Sequence, residues 1–150
     1  MSEINVLIVE DEPMVAEDIA EALNNIDFKV SAVVYTEKAA LEELKNNTPD
    51  IVLLDINLKK GDEGMHIAEE INRRYQIPFV YLTAYSDKAT LEMVQHTDPS
   101  GYLVKPFTEK GLFASLQLAV LTHGKKVKAV FTMPDLAKKK KKLPTPLSDR

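Results

Sequence analysis

The chain has 150 residues, 45% of them hydrophobic and none of them cysteine, which is enough for one core of ordinary size and too little for two. Disulfides, thiolate metal sites and cysteine nucleophiles are excluded, and no apolar run approaches the ~18 residues that span a bilayer. The formal net charge of −4 is uneven: residues 1–123 hold 10 Lys+Arg against 21 Asp+Glu, giving −11, and residues 124–150 hold 9 against 2, giving +7. With Glu3 where a secretory signal carries positive charge, the expectation is a soluble, cytoplasmic protein with no membrane partner.

In chain order, short β-branched runs alternate with segments of helical period. The runs are Ile4 to Val9, Lys29 to Val34, Ile51 to Leu54, Phe79 to Leu82 and Gly101 to Val104, and helices are expected at about 13–25, 37–47, 64–75, 87–96 and 108–122. Ile51-Val52-Leu53-Leu54 is apolar without alternation, as a strand covered on both faces requires. Five strand-then-helix repeats predict an α/β fold: a doubly wound, flavodoxin-like, five-stranded parallel sheet of order 2-1-3-4-5 with helices on both faces. Glu12-Pro13 offers an acidic cap followed by proline at the first helical position, and Asp87 and Thr108 are placed to cap the last two helices. In the last helix Leu112, Leu116, Ala119 and Val120 fall on one face.

After His123 this pattern stops. Pro134, Pro144, Pro146 and the run Lys138 to Lys142 read as a basic linker, so the expected organisation is one domain over 1–123 and a tail over 124–150. A basic arm for nucleic acid or an acidic surface fits the same composition.

In open parallel sheets the functional crevice lies beyond the carboxyl ends of the strands where strand order reverses, here between the first and third strands. Glu10, Asp11 and Glu12 follow the first strand and Asp55 follows the third. Acids gathered this closely repel by roughly 1 kcal/mol per pair in water and more near a protein surface, so a cation belongs there. Magnesium suits a site of carboxylates, waters and phosphate oxygens. Helix capping accounts for Asp11 and Glu12 but not for Asp55. The fourth strand ends in Thr83-Ala84, a hydroxyl donor, and the fifth in Lys105-Pro106, a cation. Asp55 can then act as a carboxylate nucleophile toward a phosphoryl group, with magnesium on Asp11 and Asp55, Lys105 opposite, and Thr83 bonded to a phosphoryl oxygen.

Four segments carry a resemblance: Val6-Leu7-Ile8-Val9-Glu10-Asp11-Glu12, Pro49-Asp50-Ile51-Val52-Leu53-Leu54-Asp55, Thr83-Ala84, and Gly101-Tyr102-Leu103-Val104-Lys105-Pro106-Phe107. Together, over residues 4–122, the chain resembles the receiver domains of two-component response regulators. The resemblance implies that Asp55 is phosphorylated by a partner sensor histidine kinase and that Glu10 and Asp11 form the acidic pair. It implies further that Asn57 offers its backbone carbonyl to Mg2+ and that Lys105-Pro106 is a cis peptide. Thr83 and Tyr102 would be the switch pair, the hydroxyl moving toward the phosphoryl group and the ring turning inward. Such a chain is a phosphoacceptor rather than a turnover enzyme, and the family suggests a homodimer through the fourth and fifth helices.

Departures from the family pattern fall beside the site. The loop from Leu58 to Gly64 has no proline and is one residue longer, and Tyr85, two residues after Thr83, is bulky enough to hinder an attacking water and slow the decay of the phosphoryl group. The closing Leu147-Ser148-Asp149-Arg150 resembles the opening of LuxR-type helix-turn-helix domains, which implies transcriptional output through DNA only if an output domain follows Arg150. The rival output is a stand-alone regulator acting by protein binding. A haloacid dehalogenase-type phosphatase carries a second acid two residues after its nucleophile, where this chain has Asn57, and a flavin-type binder would need a phosphate-binding glycine loop where this chain has Glu10-Asp11-Glu12.

Overall fold

The computed structural model of the chain describes residues 4–58, 62–84 and 88–131, with side chains of the last helix as far as Gly124. Five strands, β1 (Asn5–Val9), β2 (Lys29–Val34), β3 (Ile51–Asp55), β4 (Phe79–Ala84) and β5 (Gly101–Lys105), alternate with five helices. The helices are α1 (Pro13–Asn25), α2 (Glu37–Asn46), α3 (Glu63–Glu70), α4 (Lys88–Val94) and α5 (Glu109–Phe131). All strand pairs are parallel and the order is β2-β1-β3-β4-β5, the arrangement expected from the alternation of elements.

Because strand side chains alternate between faces, each central strand feeds two cores. Val6, Ile8, Ile51, Leu53, Val80 and Leu82 pack under Ile19 and Leu23 of α1 and Leu112, Leu116 and Ala119 of α5. Leu7, Val9, Val52, Leu54, Phe79 and Tyr81 pack under Ala40 and Leu44 of α2, Ile67 and Ala68 of α3, and Val94 of α4. The unalternating run of β3 follows from this, since its residues Ile51 to Leu54 are fully buried on both faces. Leu116 is fully buried, so Leu116→Ala is expected to cost about 2–5 kcal/mol of unfolding free energy in urea titration.

Three local expectations are corrected. Pro13 does begin α1, but the Glu12 side chain makes no capping hydrogen bond; its carboxylate stands one methylene further from the backbone than the favoured aspartate. The third helix ends not in α-helix but in a π-helical turn, Ile71–Tyr75, closed by Gln76, whose N–H donates to the Ile71 carbonyl at 2.7 Å in the left-handed conformation. α5 does not stop at His123 but runs on to Phe131. Its continuation is built of lysine, alanine and valine with a single glycine, and Pro134 is the first residue that forbids helix. Thr108 caps α5 as expected, its Oγ accepting from the Gly111 N–H at 2.9 Å. The Asp87 cap lies outside the described residues.

Candidate functional site

The carboxyl ends of β1, β3, β4 and β5 bring together the residues singled out in the sequence. Glu10 follows β1 and is fully buried, Asp55 is the last residue of β3 and 5% exposed, and Thr83 near the end of β4 is buried. Asp11 is half-buried. One carboxylate oxygen from each of Glu10, Asp11 and Asp55 lies within 4.8 Å of the others.

Lys105 closes β5 and reaches over this cluster. Its Nζ donates to Glu10 Oε1 at 3.1 Å and stands 3.8 Å from Asp55 Oδ2. The lysine is therefore nearer the acidic partner than the expected nucleophile. The Lys105-Pro106 peptide is cis. The remaining carboxylate oxygens are held by the backbone: the Glu12 N–H donates to Glu10 Oε2 at 3.2 Å, and the Asn57 N–H donates to Asp55 Oδ1 at 2.9 Å. Asn57 itself is exposed in the turn after β3. Thr83 O–H donates to the Ala84 carbonyl at 3.1 Å.

These contacts set the protonation of the cluster. Burial, then the charge and hydrogen bond of Asp55, push the Glu10 carboxyl up to about 7, and Lys105 only partly offsets them. Burial alone would lower the Lys105 ammonium, yet the Asp55 and Glu10 carboxylates outweigh it and hold that pKa above its ordinary value. One lysine facing two buried acids leaves unbalanced negative charge. The donor set is all oxygen and hard, so Glu10, Asp11 and Asp55 fit a magnesium-type cation and not a thiolate- or imidazole-preferring one.

Tyr102, on the edge strand β5, is 39% exposed. Tyr85 and the loop residues 59–61 lie outside the described residues. One residue of the site was missed in the sequence. Gly64 at the start of α3 lies against the strand that ends in Asp55, and a Cβ there would meet the Asp55 carbonyl oxygen at 2.9 Å and that of Ile56 at 3.3 Å. Gly64→Ala is expected to displace the end of β3, costing roughly 1–3 kcal/mol in thermal unfolding. The only hint in the sequence was a glycine shortly after Asp55, where loop glycines are common.

Comparison with known proteins gives the same picture. The model of the response regulator receiver domain matches residues 6–117. The transcriptional regulatory protein PdtaR of Mycobacterium tuberculosis is 33% identical over 115 residues, covering 77% of this chain and 56% of PdtaR. The phyllosphere-induced regulator PhyR of Methylorubrum extorquens is 25% identical over 116 residues, covering 77% of this chain and 43% of PhyR. The chain thus spans about half the length of these relatives. Among solved structures, the signal receiver domain of a modulated diguanylate cyclase from Desulfovibrio desulfuricans superposes with a TM-score of 0.77 at 26% identity, covering 83% of this chain and 99% of that one. With the buried carboxylates and the lysine at the same end of the sheet, the chain belongs to the response regulator receiver domain family.

Proposed function

We propose that this receiver domain is a switch of a two-component system in which Asp55 accepts a phosphoryl group from the phosphohistidine of a sensor kinase. An Asp55 oxygen attacks phosphorus as the phosphorus–nitrogen bond to the kinase imidazole breaks, leaving an aspartyl phosphate and a neutral histidine. Glu10, Asp11, Asp55 and the Asn57 backbone carbonyl would hold Mg2+, which when bound neutralises phosphoryl oxygens. Lys105 supplies the remaining positive charge, and Thr83 donates its hydroxyl to a phosphoryl oxygen while Tyr102 turns inward. The chain catalyses its own transfer and does not turn over a substrate.

The observation that carries this reading is the triad at the carboxyl ends of three strands, in which the half-buried Lys105 reaches over the buried carboxylates of Glu10 and Asp55. The test is incubation with Mg2+ and a small acyl phosphate followed by intact mass. One added phosphoryl group is expected in the wild type; its persistence in Asp55→Asn would overturn the assignment.

For output we propose control of transcription in the cytoplasm, supported by the name of PdtaR, with DNA contacted by a domain beyond the receiver. No helix among the described residues is long and apolar enough to cross a membrane. A homodimer through α4 and α5 is supported by Met93, Val104, Leu118 and Leu121, all exposed on or beside those helices. Protein binding without DNA remains the second reading, favoured by the same exposed face.

A further inference from the structure

Behind the crevice, a chain of buried hydroxyls crosses the core under α3 and α4. Tyr81 is fully buried at the centre of β4, where a phenol must find a partner. Its hydroxyl lies 2.8 Å from Thr97 Oγ, and the Thr97 O–H donates to the Val94 carbonyl at 2.5 Å. Threonine has a single hydroxyl hydrogen, already directed at Val94, so Tyr81 is the donor to Thr97. Asn72, in the π-helical turn after α3, donates from Nδ2 to the Thr97 carbonyl at 2.5 Å. Thr97 sits in the short 3-10 turn Gln95–Thr97 that ends α4, so three elements meet on one residue.

The other side of Tyr81 faces the switch. Tyr81 and Tyr102 are register partners, and paired residues of parallel strands point to the same face. Their rings stack with centroids 6.1 Å apart and planes 22° apart, while Phe79 meets Tyr81 edge-on at 5.4 Å. Among the described residues β5 is the edge of the sheet, with no strand flanking Tyr102 on its far side. Tyr81 is the platform on which the half-exposed Tyr102 ring rests.

We propose that Tyr81 is a positioning residue that couples the stacked seat of Tyr102 to the carboxyl end of α4 through Thr97. The hydroxyl chain fixes the plane of the Tyr81 ring, and that plane sets where Tyr102 can stack. Moving Tyr102 off its platform, or sliding the end of α4, removes a contact on which the other depends. Ordinary core satisfaction would tie Tyr81 to Thr97 but would leave Tyr102 out of the account. The activity arm of the test rests on Asp55 as phosphoacceptor; the exchange arm does not.

The test is amide hydrogen exchange of residues 88–97 in the unphosphorylated chain, over a double-mutant cycle. Tyr81→Phe keeps the ring and is expected to speed exchange there roughly five- to tenfold, leaving β1 and β3 at wild-type protection. Tyr102→Leu touches no hydrogen bond of α4, yet is expected to speed the same amides about threefold, and the double variant should match Tyr81→Phe alone. Thr97→Ser keeps the hydroxyl and should stay close to wild type, whereas Thr97→Val strands the Tyr81 donor and should exceed Tyr81→Phe. With an acyl phosphate and Mg2+, Tyr81→Phe is expected to be phosphorylated about threefold faster, because the hydrogen bond that holds the Tyr81 ring in place beneath Tyr102 is gone and Tyr102 leaves its seat more readily. Wild-type exchange of 88–97 in Tyr102→Leu, purely additive effects, uniform loss of protection, or an unchanged phosphorylation rate would each overturn the proposal. A wild type that takes up no phosphoryl group overturns the phosphoacceptor reading instead, and the exchange cycle still decides the coupling.

Discussion

A chain with Asp55→Asn is expected to take up no phosphoryl group and, stripped of metal by a chelator, to melt at a higher temperature than the wild type at pH 8. The first result follows from loss of the nucleophile. The second follows from the state of Glu10, whose carboxyl is held at about 7 by burial and by Asp55 against an ordinary 4.5. In that window the folded chain binds a proton that the unfolded chain has released, so stability is greatest below pH 4.5 as far as this group is concerned and falls as pH rises through 7. The loss should be on the order of 3 kcal/mol. Lys105 adds no slope there, since the stability that its raised pKa contributes is lost only above its ordinary 10.5. With asparagine at position 55 the charge that raises Glu10 is gone and burial alone is left to raise it, so thermal unfolding between pH 5 and 8 should become flatter. Mg2+ should raise the wild-type melting temperature more at pH 8 than at pH 6, since bound metal and proton compete for the same oxygens. An identical slope in Asp55→Asn and wild type would count against the coupling of the two acids.

Lys105→Met is expected to slow phosphorylation by an acyl phosphate about a hundredfold while leaving the mass gain confined to Asp55. Among the described residues the ammonium is the one cation facing both Glu10 at 3.1 Å and Asp55 at 3.8 Å. Without it, charge arriving on the phosphoryl oxygens meets two carboxylates with nothing opposite. Metal-free stability at neutral pH should also fall, by roughly 1–3 kcal/mol, because the two buried acids lose their partner. The check is a stopped-time mass assay paired with urea unfolding. A rate within threefold of wild type would remove Lys105 from the transfer.

Much of this was legible in the residues. The unbroken apolar run Ile51 to Leu54 reads as a strand buried on both faces, and five short runs alternating with amphipathic helices leave few topologies. The convergence of Glu10, Asp11, Asp55, Thr83 and Lys105 followed from strand direction alone, because parallel strands deliver all their carboxyl ends to one side. Other features depend on tertiary contacts that no period encodes. Lys105 chose Glu10 over Asp55 by side-chain reach. Tyr81 looked like one more apolar strand residue, although its hydroxyl demanded a partner that turned out to be Thr97, 16 residues on. Gly64 mattered for what a side chain would strike. The end of α5 was misjudged because loss of apolar periodicity was taken as loss of helix, whereas lysine and alanine keep a helix without a core to bury.

That helix has a mechanical consequence. Its 23 residues measure about 34 Å, whereas a five-residue strand measures about 17 Å, so α5 outruns the sheet it packs on. It is tied near its start by Thr108 and further down by His123, whose Nε2–H donates to the Gln76 carbonyl at 2.6 Å. Past that tie the chain is a lever arm. With the His123 bond released, a tilt of about 5° at the Thr108 end would carry Phe131 about 3 Å, whereas with that bond held the same tilt about His123 moves Phe131 only about 1 Å, so this one hydrogen bond sets how far an adjustment at the crevice is amplified at the far end.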